Sequence, residues 1–241
     1  MTTQAPVTPP DHELWLDAHT RRRPAGDGHG IDVASQRADD LDERCLTFLE
    51  GRCARGDNEH PTALDLACGR GGQALRMAAC GARVTAVDQY DHGADLQRAA
   101  AARRVGQPPV FASADVRALP EALPGAPFDA IVCQRALHYL PYGEAVTAVR
   151  SWVRYLKPGG RLFLSASGLT SELGQGYAHG DRPVTERFAP LAPAMAERHD
   201  IRAPVCLYEA SDLVALLHVA GFGVAEVFRS PFGNVKAVAF V

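Results

Sequence analysis

The chain lacks the features that mark several specialised classes of protein. Its six cysteines form no CxxC pair, its apolar runs fall short of the roughly 18 residues a membrane helix needs, and it carries no excess of basic charge. Cys45, Cys53, Cys68, Cys80, Cys133 and Cys206 are not spaced like zinc or thioredoxin ligands, and several stand in apolar stretches where a thiol acts as a small hydrophobe. They point to a reduced, cytoplasmic protein with no metal site. Lys and Arg number 25 against 28 Asp and Glu, a net charge of −3, which argues against nucleic acid or an anionic membrane as partner. The densest basic run, Arg21-Arg22-Arg23, reads as a solvated patch. The opening MTTQAPVTPPDHE has no apolar core of the kind a secretory signal carries.

What is present suits one large domain: 241 residues, 46% of them apolar. Residues 1–12, rich in Thr and Pro, are expected to be disordered, and residues 13–241 to form a single domain. Residues 13–50 read as an N-terminal helical cap, broken where Pro24, Gly26, Gly28 and Gly30 cluster. Its second half, Ile31 to Leu49, carries Val33, Leu41, Cys45, Leu46 and Leu49 at helical spacing.

After Pro61 short apolar runs alternate with helical patterns. Strands are expected at Ala63–Ala67, Arg83–Val87, Pro109–Ala112, Phe128–Cys133 and Arg161–Ser165, with helices at Gly72–Cys80, Gly93–Arg104 and Gly143–Leu156. A helix over Ser211–Ala220 and a hairpin of Gly223–Phe228 with Val235–Phe240 complete the pattern. Such alternation predicts an α/β fold with a mostly parallel sheet of seven strands and an antiparallel last strand. The stretch 166–209, rich in Gly, Pro and Ala, is long enough to be a cap over the carboxyl edge of that sheet.

The densest chemistry lies in Ala63-Leu64-Asp65-Leu66-Ala67-Cys68-Gly69-Arg70-Gly71-Gly72-Gln73, where a strand turns into a helix. Glycines there admit a ligand close to the backbone, and an acid at the strand end suits a cationic or hydroxyl-bearing ligand better than a pyrophosphate. A second strand ends in Asp88, about twenty residues on, the ribose-binding position of such folds. Ala112-Ser113-Ala114-Asp115-Val116, the run from Phe128 to Leu140, and Leu156-Lys157-Pro158-Gly159-Gly160 follow in order. Asp115 also has the chemistry to cap a helix beginning near Val116, and Asp129 suits support of a turn.

Over about residues 62–168 these motifs resemble the Rossmann-like class I S-adenosylmethionine-dependent methyltransferase family, in its small-molecule branch. The family's first motif reads roughly D/E-x-G-x-G-x-G, and Ala67 replaces its first glycine; alanine fits if that residue keeps a negative φ. The resemblance implies S-adenosylmethionine (SAM) as cofactor, with contacts at Asp65, Ala67, Gly69, Asp88, Gln89, Asp115, Val116 and Gln134. Asp115 takes the position that hydrogen-bonds the adenine amino group. It implies a small-molecule substrate, no nucleic acid and no membrane, and leaves the oligomeric state open. No Asn/Asp-Pro-Pro-Tyr/Phe stretch of the nucleic-acid amino methyltransferases follows the fourth strand.

The family has no universal catalytic residue, so candidates come from position. His138 and Tyr139 follow the fourth strand, near the edge where ligands bind in such folds, and His138 suits a base or a substrate hydrogen bond. Tyr177 and His179 stand between glycines in the long insertion, where an aromatic face suits a sulfonium. Trp15, His19, Arg22 and Arg37 belong to the N-terminal segment, and an arginine there suits a carboxylate, the cofactor's or a substrate's. Two other uses of the same cofactor stay open: cyclisation of SAM upon itself, as in azetidine-2-carboxylate synthases with release of 5′-methylthioadenosine, and SAM binding by a regulator without turnover.

Overall fold

The structure is a computed structural model that describes residues 29–30, 37–54 and 60–241. The expected disordered segment 1–12, residues 13–28 of the N-terminal cap, and Trp15, His19 and Arg22 lie outside the described residues.

Seven strands form one sheet in the order β3-β2-β1-β4-β5-β7-β6. They are β1 (Thr62–Leu66), β2 (Arg83–Asp88), β3 (Val110–Ser113), β4 (Phe128–Cys133), β5 (Leu156–Ala166), β6 (Gly223–Arg229) and β7 (Val235–Phe240). Strands β1 to β5 pair in parallel, while β7 runs antiparallel to both β5 and β6. Every residue of β1 and β4 is buried. That follows from their central place between two helical layers, and it explains why they read as unbroken apolar runs rather than alternating ones.

Six helices accompany the sheet among the described residues: α1 (Asp40–Cys53), α2 (Gly72–Ala79), α3 (Gly93–Ala102), α4 (Tyr142–Trp152), α5 (Pro193–His199) and α6 (Ala210–Ala220). Helix α1 starts later than its periodicity suggested, because Asp39 and Asp42 make a reciprocal capping box there. The helix expected through Leu156 ends at Trp152 and closes as a 3-10 turn, Val153–Tyr155. Asp115 caps no helix; its carboxylate accepts from the Arg117 backbone N–H at 2.9 Å in a local turn.

One face of the sheet buries Leu64, Ile131, Trp152, Leu164 and Leu216, and the other buries Leu41, Ala63, Leu75, Met77 and Phe163. A third, smaller cluster belongs mainly to the segment after β5: Leu173, Tyr177, Leu191, Ile201, Val205 and Leu207, with Tyr139 packed against it. Arg187 ties this segment to α6. It is buried, donates to Asp212 at 2.7 Å and to the Leu207 carbonyl at 2.9 Å, and binds the Arg182 carbonyl through two further nitrogens.

Candidate active site

The chain leaves β1 toward β2 and β3 on one side and returns through β4 on the other. The resulting crevice at the carboxyl ends of β1, β2 and β4 is where open parallel sheets bind ligands. A cavity of about 270 Å³ lies there. Asp65, Ala67, Gly69, Asp88, Gln89, Asp115, Val116 and Gln134, drawn from separate motifs, all line it, and so does Tyr139.

Backbone geometry sets most of these groups. Gly69, at φ 53°, turns its N–H onto an Asp88 oxygen at 2.9 Å, and the Tyr90 N–H donates to the other oxygen at 3.0 Å. Asp88 is thereby fixed at the end of β2 with lone pairs left for a ligand's hydroxyls. Gly71, at φ 80°, has no room for a side chain: a Cβ would stand 2.2 Å from Leu96 Cδ1. The expectation for Ala67 is corrected, since its φ is +52°, not negative. A Cβ in this region crowds the backbone, so the alanine holds a conformation that glycine adopts freely.

Asp65 is buried, and one oxygen accepts the Ala74 N–H at 2.9 Å. Burial, reinforced by the carboxylate of Asp42, pushes its pKa up to about 8. Asp42 is a cavity residue that sequence reasoning missed. It comes from the first turn of α1, is itself buried, and its carboxylate accepts from Gln134 Nε2 and from the Asp39 N–H. Burial raises its pKa as well, with Asp39 adding to the effect. His29 is a further lining residue that no motif signalled, and Arg135 lines the cavity from within the run Phe128 to Leu140, where sequence reasoning gives it no role. At the opposite end Asp115 grips Arg117 through both oxygens, which holds its pKa down, and Arg117 also reaches Glu144 at 3.1 Å.

The catalytic candidates separate. The Tyr139 hydroxyl donates to the His29 carbonyl, and its ring meets the His29 ring edge-on at 4.8 Å between centroids. His138 lies outside the cavity lining, buried, its ring 4.1 Å from that of Tyr139 and its Nδ1 without a hydrogen-bond partner among the described residues. Burial, helped by the nearby Arg135, lowers its pKa to about 3. So weak a base is poorly matched to proton removal near neutrality, which counts against the base role expected for it. Tyr177, expected against a sulfonium, lies instead in the cap cluster; its single hydroxyl proton is shared between the carbonyls of Arg187 and Val205. His179 is half-buried, with Nδ1 3.1 Å from the Glu186 carbonyl. Arg37 lies over the Phe232 ring and does not line the cavity. Asp129 sits at the other end of β4, held by Thr62, Lys157 and Arg52, and serves the framework.

No group of side chains suited to hold a metal ion occurs among the described residues. None of the described helices is long and apolar enough to cross a membrane. Four acidic side chains line the cavity, from Asp42, Asp65, Asp88 and Asp115. That donor set fits a ligand with an ammonium or sulfonium charge and hydroxyls, and repels a pyrophosphate.

Comparison with known proteins bears on the same segment. Residues 63–160 match the family model of a methyltransferase domain. Over 117 residues the chain is 34% identical to the ubiquinone biosynthesis O-methyltransferase of Xanthomonas oryzae pv. oryzae (strain PXO99A), a match covering 48% of this chain and 47% of that protein. The chain thus spans about half the length of the curated relatives it matches. Among solved structures, the 1,6-didemethyltoxoflavin-N1-methyltransferase of Burkholderia thailandensis, with bound 1,6-didemethyltoxoflavin and S-adenosylhomocysteine, shares the fold with a TM-score of 0.61 at 21% identity, over 98% of this chain and 92% of that one. The cyclase SpnF shares it with a TM-score of 0.56 at 20% identity, over 82% of this chain and 79% of that one.

Proposed function

We propose, on the premise that residues 63–160 belong to the methyltransferase-domain family, that this protein transfers a methyl group from SAM to a small-molecule acceptor. One observation carries the reading: eight residues expected from separate motifs to touch that cofactor line a single acid-rich cavity at the sheet's switch point. In this reading Asp88 accepts the ribose hydroxyls and Asp115 the adenine amino group, Val116 packs on the base, and Asp65 with Gln134 faces the amino-acid end. The ubiquinone and toxoflavin relatives, by their names, support a small molecule as acceptor. No disulfide joins the six cysteines among the described residues, which suits a reducing compartment, the cytoplasm.

When bound, the cofactor supplies an electrophilic methyl group on its sulfonium. The protein's part is to hold an acceptor in line with that methyl and to keep water out. Tyr139 and Leu140 line the cavity just beyond β4 and are assigned to the acceptor end. His138 is assigned to position Tyr139 from beneath, and Tyr177 to hold the cap together.

The test has two parts. Calorimetry is expected to show binding of SAM and S-adenosylhomocysteine but not of NAD, with Asp88→Ala weakening SAM by about 1.5–3 kcal/mol, the scale of hydrogen bonds to a charged group. Chromatography of enzyme with SAM and a panel of small acceptors is expected to show S-adenosylhomocysteine only when an acceptor is present. Steady release of 5′-methylthioadenosine from enzyme and SAM alone overturns methyl transfer in favour of cyclisation. Binding without any turnover favours a regulator.

A further inference from the structure

The cavity's cations are unequal. Arg117 is committed to Asp115 and Glu144. Arg135 also lines the cavity and is half-buried, yet its guanidinium makes no hydrogen bond or ion pair among the described residues. Its backbone is held firmly: φ is +54°, and its N–H donates to the buried Ser165 hydroxyl at 3.0 Å. A non-glycine residue in that region is uncommon, so the direction of this side chain is set by β4, β5 and the turn between β4 and α4.

Its surroundings indicate what it faces. Arg135 acts electrostatically on Asp39 and Asp42, both in the capping box that brings Asp42 to the cavity. Its sequence neighbour Gln134 binds Asp42 directly. Arg135 therefore belongs to the end of the cavity that holds Asp42 and Asp65, away from Asp115. An α-amino acid group is a zwitterion, and a wall made only of carboxylates satisfies its ammonium while repelling its carboxylate. A guanidinium offers a planar pair of donors that matches a carboxylate.

We propose that Arg135 binds the α-carboxylate of the cofactor's methionine portion, so that this end of the cavity reads both charges of the amino acid. The proposal rests on the SAM reading given above. It assigns to Arg135 a task that the sequence suggested for Arg22 or Arg37, and Arg37 is turned to Phe232 instead. It also makes a prediction that bulk charge does not. The lining holds four acids, of which Asp65 is protonated near neutrality, against Arg117 and Arg135, so net charge alone gives a ligand no reason to keep its own carboxylate.

The experiment is calorimetry with two ligands, S-adenosylhomocysteine and its decarboxylated analogue, in which a 3-aminopropyl thioether replaces the homocysteine chain. The wild-type protein is expected to bind S-adenosylhomocysteine at least about tenfold more tightly than the analogue, since hydrogen bonds to a charged group are worth that much or more. Arg135→Gln is expected to erase the preference by weakening S-adenosylhomocysteine alone, and Arg135→Lys to restore part of it. Arg135→Asn provides a second variant that tolerates the left-handed backbone, should the glutamine variant fold poorly. Retention of the full preference in Arg135→Gln or Arg135→Asn overturns the proposal and turns Arg135 toward the acceptor. Equal affinity of both ligands for the wild-type protein overturns it as well while leaving the cofactor reading intact. Binding of neither ligand overturns both.

Discussion

Ala67 stands where the strand-to-helix turn demands a left-handed residue, and the methyl group it carries is a local burden. A non-glycine side chain at such a φ costs roughly 1–2 kcal/mol, partly offset by the extra freedom a glycine has when unfolded. Ala67→Gly is therefore expected to stabilise the protein by up to about 1 kcal/mol, read as a higher urea midpoint at unchanged slope. An unchanged or lower midpoint means that the Ala67 methyl group makes compensating contacts. The sign of φ here was not legible from the chain, because an alanine after a strand is compatible with either hand. The acids near the strand ends were legible, since Asp65, Asp88 and Asp115 each stand in or just after a short apolar run and their separation matches one βαβ step. Tyr177 shows the converse. Its flanking glycines suggested a loop free to close on a ligand, but two backbone carbonyls of the same cap, 10 and 28 residues on, claim its hydroxyl. Local composition carries no information about such partners.

At the scale of elements, the joint between α1 and β7 deserves a test because it supports the cavity from behind. Lys236 of β7 is buried and pairs with Asp39 at 2.7 Å and with Asp40. Asp39 caps α1, and three residues on Asp42 enters the cavity. Removing the cation leaves two adjacent, partly buried carboxylates without their counter-charge. Lys236→Met is expected to cost about 2–4 kcal/mol in urea unfolding, toward the lower end of what breaking a buried pair costs because Asp40 is partly exposed. Combining it with Asp39→Asn is expected to recover much of that loss; strict additivity of the two changes means the pair does not couple. Periodicity located α1 but could not reveal this joint, in which Lys236 and Asp40 lie 196 residues apart. Asp42 and Gln134, 92 residues apart, were hidden for the same reason.

The whole molecule has a pH response that follows from these buried charges. Folded Asp65 keeps its proton up to about pH 8, whereas its ordinary value is 3.8. Between those values the folded chain binds more protons than the unfolded one, so stability falls as pH rises, by at most about 1.4 kcal/mol per unit, and levels off above 8. His138 acts in the opposite sense at lower pH. Its folded value is about 3 against an ordinary 6.5, so its contribution is complete above 6.5 and is lost as pH falls toward 3. The window from pH 6.5 to 8.5 therefore leaves His138 silent and carries the Asp65 response, to which the charge of the neighbouring buried Asp42 contributes. Thermal or urea stability of the ligand-free protein is expected to decline across it, and Asp65→Asn to flatten the decline. Saturating SAM is expected to flatten it too, because a bound cation favours the ionised carboxylate. An equally steep decline in Asp65→Asn assigns the effect to another group.

The order of the sheet also has a consequence for how the protein is made. Strand β7 lies between β5 and β6, although it follows both in the chain. All the residues that line the cavity, from His29 to Leu140, leave the ribosome long before Val235. A nascent chain halted at residue 234 thus holds every cavity residue yet lacks both the strand that bridges β5 to β6 and the lysine that anchors the first turn of α1. Such an arrested chain is expected to show no protection from protease by S-adenosylhomocysteine, and protection is expected to appear only once β7 has emerged. Competence to bind the proposed cofactor is expected to arrive all at once with β7, so translation that stops before it is expected to leave no half-built protein able to sequester that ligand.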